Sequence, residues 1–97
     1  MEMNWPFDQD PATATLTTKQ VLEDGFPILQ VVHYSDDHSW GFTCGTSNEV
    51  DDGRIVCMSH LVDLDPTIVS IADLEPGWVA YREAVGERWE RYFDEQM

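Results

Sequence analysis

The stretch PILQVVHYSDDHSWGFTC, residues 27–44, decides the fold. Its two ends are rich in β-branched and aromatic residues and its middle is polar, which predicts an antiparallel hairpin with strands at 27–34 and 40–44. Pairing Tyr34 with Trp40 sets the register across a five-residue loop. Because side chains alternate faces along a strand, we expect one face of this hairpin to carry Val32, Tyr34, Trp40 and Phe42.

The chain before this hairpin predicts an arm, a strand and a helical turn. Residues 1–12 contain two prolines and turn-prone aspartates, so we expect an N-terminal arm that Trp5 and Phe7 pin to the core. The alternating threonines of residues 13–18 predict a strand. A single helical turn follows this strand, and Gly25 would end that turn in the left-handed conformation.

The chain after the hairpin predicts a further strand and two helices. Residues 54–58 form a short apolar strand, and Ser59 is placed to cap a helix that ends at Leu64. Asp65 and Pro66 open the next helix, since the carboxylate caps it and proline fits the first helical position. The expected buried face of this helix consists of Ile68, Val69, Ile71, Ala72 and Leu74.

The chain ends in a second predicted hairpin, with strands at residues 78–84 and 88–93 and a turn at Gly86. The order of elements lacks the regular strand–helix alternation of a dinucleotide-binding fold. We therefore predict a single small α+β domain over residues 13–97, with a mostly antiparallel sheet and one or two short helices packed on one face.

The composition is strongly acidic. Nineteen Asp and Glu residues stand against five Lys and Arg, giving a formal net charge of −14 and an isoelectric point near 4.1. Such a charge excludes a basic nucleic-acid reader and attraction to an anionic membrane surface. We find no signal-peptide pattern and no membrane-spanning run, so we expect a cytoplasmic protein in which Cys44 and Cys57 stay reduced. The charge opposes self-association, so a monomer or a weak homodimer is expected.

The histidines and cysteines are a candidate metal site, made of His33, His38, Cys44, Cys57 and His60. Zinc sites use closely spaced ligand pairs, whereas these two cysteines are thirteen residues apart. The predicted hairpin register also places His33 and Cys44 on opposite faces. Residues 48–53 match only part of a calcium-binding loop, and phosphate-cradling glycines and a nucleophile elbow are absent. We therefore predict no metal, no cofactor, no catalytic residues and no enzymatic activity.

The acids fall largely in pairs at predicted turns, where a negative field speeds the encounter with a basic partner. The alternative is a solvated surface that keeps the protein soluble. We expect a protein partner to contact the acidic loops, through Asp36, Asp37, Glu49, Asp51 and Asp52. The last hairpin also has the Trp, Tyr and Arg content of a binding surface. We interpret Trp78 and Trp89 as core residues there, with Arg82 and Arg91 paired to acids across the sheet.

Several of these residues together resemble a known pattern, namely Trp40, Phe42, Gly45, Leu64-Asp65-Pro66, Gly77, Arg82, Gly86 and Trp89. Over roughly residues 13–92, the chain resembles a family of small acidic bacterial proteins of unknown function. That family is similar to one group of the immunity proteins of polymorphic toxin systems. The resemblance implies an α+β domain, no cofactor and a protein partner, and it implies no catalytic residues.

The leading hypothesis is a non-enzymatic acidic interaction domain of the immunity type, which binds and neutralises a basic partner protein. A toxin that acts on nucleic acid usually needs a basic cleft, and an acidic protein can block such a cleft. Two alternatives stay open. One is a stand-alone structural or regulatory domain, and the other is a small metal-binding protein that uses the His and Cys residues.

Overall fold

The computed structural model describes residues 5–45 and 52–95 of the chain. Their strands are β1 (Ala14–Thr18), β2 (Gln30–His33), β3 (Trp40–Thr43), β4 (Gly53–Cys57), β5 (Trp78–Tyr81) and β6 (Glu90–Phe93). Their helical segments are α1 (Lys19–Leu22), α2 (Met58–Leu64) and a 3-10 helix (Pro66–Ile71). None of the helices in these two ranges is long and apolar enough to cross a membrane.

The six strands form one sheet in the order β4-β1-β3-β2-β5-β6. The central pair, β1 and β3, is parallel, and every other neighbouring pair is antiparallel. The predicted last hairpin is present as β5 and β6. Buried residues of all three helical segments form one core cluster with residues of β2, β3 and β5. The prediction of an α+β domain with a mostly antiparallel sheet and short helices on one face is confirmed.

The register of the β2–β3 hairpin differs from the prediction by one residue. His33, not Tyr34, lies opposite Trp40. The cause is a shorter loop, because the Tyr34 N–H donates to the Ser39 carbonyl at 2.8 Å and leaves residues 35–38 to reverse the chain. His38 completes this reversal with a positive φ of 60°, a conformation that non-glycine residues seldom adopt.

This one-residue shift exchanges the two faces of β2. The predicted shared face is wrong for Val32 and Tyr34, which lie on the side of the sheet away from the core. We call that side the outer face. The opposite side, which we call the inner face, carries Val31, His33, Trp40 and Phe42 from this hairpin.

The core lies between the inner face and the helices. Its largest fully buried side chains include Trp40, Phe42, Met58 and Leu61. The N-terminal arm also contributes, since the Phe7 ring is buried and meets the Trp40 ring edge-on at 5.1 Å between centroids. Trp5 is half-buried and packs beside the cluster, so both residues hold the arm as expected.

Two of the helical segments begin and end close to their predicted positions. α1 follows Thr18, and Gly25 ends this region with a φ of 74°. α2 begins at Met58, with Cys57 as its N-cap, so the predicted cap at Ser59 is wrong. The Ser59 hydroxyl instead lies 3.3 Å from the Cys57 sulfur.

Asp65 opens the next helix as predicted, with Oδ1 accepting the Thr67 N–H at 3.0 Å. The segment is a 3-10 helix, in which residues three apart lie above one another. Ile68 and Ile71 therefore share the buried face, whereas Val69 turns away and is 40% exposed. The prediction that Val69 is buried is wrong for this reason.

Candidate interaction surface

The β2–β3 loop holds two of the predicted partner-binding residues, Asp36 and Asp37, and both are exposed. Each carboxylate is fixed by a backbone N–H. Asp36 Oδ1 accepts the N–H of Asp37 at 3.0 Å, and Asp37 Oδ1 accepts the N–H of Ser39 at 3.0 Å. The hydrogen bonds from Ser39 lower the pKa of the Asp37 carboxyl below its ordinary value. Asp37 therefore holds its negative charge in a fixed position at neutral pH.

Of the other predicted residues, Asp52 belongs to the described part of the chain, and it does not join this pair. Asp52 is half-buried and accepts a hydrogen bond from Gln20 Nε2 at 2.9 Å. Because β4 is antiparallel to β1, and β1 is parallel to β3, the start of β4 lies where β3 finishes. The β2–β3 loop lies where β3 begins, roughly 13 Å away along a strand of four residues. Glu49 and Asp51 lie outside the described residues.

The topology collects acids at the end of the sheet that holds the β2–β3 loop, which we call the acidic end. β1, β3 and β5 begin at this end, while β2, β4 and β6 finish there. The segments that flank these strand ends supply Asp8, Asp10, Asp36, Asp37, Glu75, Asp94 and Glu95. These acids come from separate parts of the chain, so no local sequence pattern marks the acidic end.

The basic residues lie elsewhere. Near the opposite end of the sheet are Lys19, Arg54, Arg82 and Arg88. The fifth basic residue, Arg91, lies within β6, and its guanidinium binds Asp73 at 2.9 Å. This contact lowers the pKa of the Asp73 carboxyl. Among the described residues, the segments that form the acidic end therefore contain no Lys or Arg.

A buried histidine holds the arm at the acidic end. The His33 side chain is 2% exposed and stacks on Trp40, with 3.9 Å between ring centroids. Its Nδ1 donates to the Leu74 carbonyl at 2.7 Å, and its Nε2 lies 3.2 Å from Asp8 Oδ2. The other oxygen of Asp8 accepts the Trp40 indole N–H at 2.9 Å. This cluster joins the arm, the hairpin and the segment before β5.

The candidate metal ligands do not form a site. Cys44 is a buried thiol and Cys57 a partly exposed one. Hydrogen bonds with the Ser59 side chain and the His60 backbone lower the pKa of the Cys57 thiol. The predicted separation of His33 and Cys44 is wrong, because both side chains belong to the inner face. Even so, residues 5–45 and 52–95 contain no group of three or more His, Cys, Asp or Glu side chains that could hold a metal ion.

Arg82 is a buried cation with a structural role. Its Nη2 donates to Asp65 Oδ2 at 2.7 Å, and its guanidinium carbon lies 4.3 Å from the centroid of a Trp89 ring. Trp78 and Trp89, interpreted from the sequence as core residues, are partly buried and pack against the core cluster. The interpretation of Arg82 and Arg91 as partners of acids is confirmed. The acids are not on neighbouring strands as predicted, because Asp65 and Asp73 flank the 3-10 helix.

Neither a family model, nor a curated protein, nor a solved structure matches this chain. The resemblance to small acidic proteins of the immunity type therefore stays a prediction. The function has to follow from the charge distribution, the burial and the hydrogen bonds of the described residues.

Proposed function

We propose that this protein is a non-enzymatic interaction domain that binds a basic partner protein at its acidic end. The observation that supports this proposal is the absence of Lys and Arg from the described segments of the acidic end, whereas at the opposite end acids such as Glu83 and Glu87 lie among the basic residues. Acids from four separate segments gather at one end of the sheet, while the five Lys and Arg residues lie at the other end or face the 3-10 helix. We propose the cytoplasm as its location, where both cysteines stay reduced.

The acidic end suits fast capture of a positively charged protein. Like charges that lie within a Debye length, about 8 Å at physiological salt, sum to a local potential that steers an oncoming basic surface. Such steering raises association rates more than it raises affinity, and it weakens as salt increases. An inhibitor of the immunity type benefits from this behaviour, because it must reach its target before the target acts.

The hydrogen bonding at the acidic end favours a binding role over a catalytic one. Asp8 and His33 are the one carboxylate–imidazole pair in the described residues at ion-pair distance. Both are already engaged, Asp8 by the Trp40 indole and His33 by the Leu74 carbonyl. We therefore assign them the role of holding the arm, and we assign partner contact to the exposed loop residues Asp36 and Asp37.

Affinity capture from the lysate of the source organism, at low and at high salt, tests this function. Three baits are compared: the wild type, Asp36→Asn with Asp37→Asn, and a control with Glu83→Gln and Glu87→Gln. Both variants lose two charges, but the control acids lie at the opposite end of the sheet and are exposed. We expect the wild type and the control to capture the same basic protein at low salt, and the Asp36/Asp37 variant to capture much less. Capture of no basic protein, or equal capture by all three baits, would overturn the proposal.

A further inference from the structure

The outer face of the sheet carries a row of residues in register across all six strands. The strand pairings align Ile55 with Leu16, Leu16 with Gly41, and Gly41 with Val32. They continue from Val32 to Val79 and from Val79 to Tyr92. We call these six residues, Ile55, Leu16, Gly41, Val32, Val79 and Tyr92, the apolar row.

The apolar row lies outside the core. None of its residues belongs to the core cluster or to the partly buried side chains packed on that cluster. Ile55 is 66% exposed, Tyr92 45% and Leu16 36%. The helical segments and the arm contribute their buried residues to the inner face instead. The middle of the row is less accessible, because Val32 is half-buried, Gly41 is buried and Val79 is 2% exposed. Among the described residues, the exposed apolar side chains of the row therefore lie toward its two ends.

The rest of the outer face is also nearly without charge. The other outward positions of the six strands are Ala14, Thr18, Gln30, Thr43, Gly53, Cys57, Tyr81 and Glu90. Glu90 is the one charged residue among them, in a chain in which 25% of residues are charged. Along the strands of an antiparallel sheet, the positions that face solvent normally carry polar side chains. An exposed apolar face of this kind is typical of an interaction surface.

Tyr34 connects the apolar row to the acidic end. Its ring lies over Gly41, where an added Cβ would meet the Tyr34 ring and hydroxyl at 3.3 Å. Burial, and then the negative charges of Asp36 and Asp37, raise the pKa of the Tyr34 phenol. The two carboxylates of the β2–β3 loop therefore act on a side chain that lies on the apolar row, so the two surfaces are contiguous.

Area and charge together identify what binds this face. Six strands spaced about 4.8 Å apart, with four or five residues each, give roughly 400 Å². A standard protein–protein interface buries about 800 Å² on each partner, so any stable partner must also contact surface beyond this face. A second copy would bring another net charge of −14. A basic partner gains from both surfaces, since its apolar side chains cover the row while its Lys and Arg meet Asp36 and Asp37.

We propose that the outer face is a docking surface for a basic protein segment that presents aliphatic or aromatic side chains flanked by Lys or Arg. This inference rests on the proposed function and adds to it where the partner lies and which chemistry holds it. The acidic end attracts the partner, and the apolar row supplies the contact that retains it. A substitution in the apolar row that leaves the net charge of the protein unchanged should therefore still lower the affinity for the partner.

A synthetic amphipathic helix of leucine and lysine serves as the probe, and backbone amide shifts of the isotope-labelled protein report where it binds. A second peptide, with serine in place of each leucine, keeps the charge and removes the apolar side. We expect the first peptide to shift the amides of Leu16, Val32, Ile55 and Tyr92. We expect the second peptide to bind at least tenfold more weakly and to shift the acidic end alone.

Charge-neutral variants separate this inference from the proposed function. Leu16→Thr with Ile55→Thr suits exposed strand positions, because threonine is β-branched. We expect this pair to weaken leucine–lysine peptide binding about tenfold, and the control Val69→Thr, on the 3-10 helix, to leave it unchanged. Equal binding by both variants, with shifts confined to the acidic end, overturns the docking surface and keeps the proposed function. Failure of both peptides to bind the wild type overturns both proposals.

Sedimentation of the wild type without peptide completes the test. We expect a monomer, in agreement with the charge. A dimer that Leu16→Thr with Ile55→Thr disperses would assign the outer face to a second copy and overturn this inference.

Discussion

Asp8 and His33 join the N-terminal arm to the centre of the sheet, with 3.2 Å between Asp8 Oδ2 and His33 Nε2. Asp8 also accepts the indole N–H of Trp40, and His33 donates to the carbonyl of Leu74. These contacts hold the arm, the hairpin and the segment before β5 together at the acidic end, although the charged residues there come from separate parts of the chain. An exposed carboxylate in a fixed position loses less conformational entropy when it binds than a mobile one does.

Replacing Asp8 should weaken the attachment of the N-terminal arm to the sheet. Asp8→Ala leaves the Trp40 indole N–H without its acceptor and removes the carboxylate that lies 3.2 Å from His33 Nε2. A buried polar group that loses its partner costs about 1–3 kcal/mol. We expect the free energy of unfolding in urea to fall by that amount. Asp10→Ala is the control, because the Asp10 side chain accepts only the nearby Ala12 N–H at 2.9 Å in an exposed turn. Equal losses for both variants would show that the cluster does not anchor the arm.

The buried pair of Arg82 and Asp65 should contribute more. Asp65→Asn keeps an oxygen for the Thr67 N–H but removes the charge opposite a guanidinium whose side chain is 1% exposed. Breaking one side of a buried pair costs about 3–5 kcal/mol. We expect the free energy of unfolding, measured by chemical denaturation, to fall by about 3 kcal/mol. Asp63→Asn, at an exposed position two residues earlier, should change stability little, and a similar loss there would contradict the assignment.

The alkaline limb of the stability curve should depend on Tyr34. Its pKa is raised in the folded protein by burial and by Asp36 and Asp37. A raised pKa means that folding favours the protonated phenol, so this contribution is present below the ordinary value of 10.0 and is lost as the pH rises through the folded pKa. We expect Tyr34→Phe to reduce the loss of stability above pH 10.0. The exposed control Tyr92→Phe should lose stability at high pH as the wild type does. An unchanged alkaline limb in Tyr34→Phe would argue against the contact between the ring and the acidic loop.

Two glycines with nearly the same backbone angle should respond differently to alanine. Gly77 and Gly86 have φ values of 90° and 91°, so an alanine at either position would be destabilised by about 1–2 kcal/mol in this backbone conformation. At Gly77 a Cβ would also meet Phe93 at 3.0 Å, whereas Gly86 has nothing within 4 Å. We expect Gly77→Ala to cost about 1 kcal/mol more than Gly86→Ala. The excess should vanish in a Phe93→Ala background, and its persistence there would assign it to the backbone alone.

The elements of this fold follow from local sequence signals, but their relative placement does not. The Asp65-Pro66 helix start, the last hairpin and the class of the domain are all predictable, because capping, turn chemistry and alternation are local properties. The register of the β2–β3 hairpin is not, since it depends on whether residues 35–38 or 35–39 form the loop. That single choice decides whether His33 or Tyr34 is buried.

The candidate surfaces are even less visible in the sequence. The sequence shows Asp36 and Asp37 as an acidic pair. Which other acids lie near them depends on which strand ends meet at the same end of the sheet. Asp52 looks equivalent in sequence and lies at the opposite end. The apolar row takes one residue from each strand. Its members are therefore far apart in the sequence, and only strands joined by a short loop bring two of them near each other.

The most direct test of the central claim is the association rate of the captured basic partner, measured over a range of salt concentrations. The wild type is compared with Asp36→Asn plus Asp37→Asn and with Glu83→Gln plus Glu87→Gln. If the acidic end steers the partner, the first variant associates roughly tenfold more slowly at low salt and shows a shallower salt dependence, while the second resembles the wild type. Equal rates and equal salt dependence for all three proteins would contradict the account.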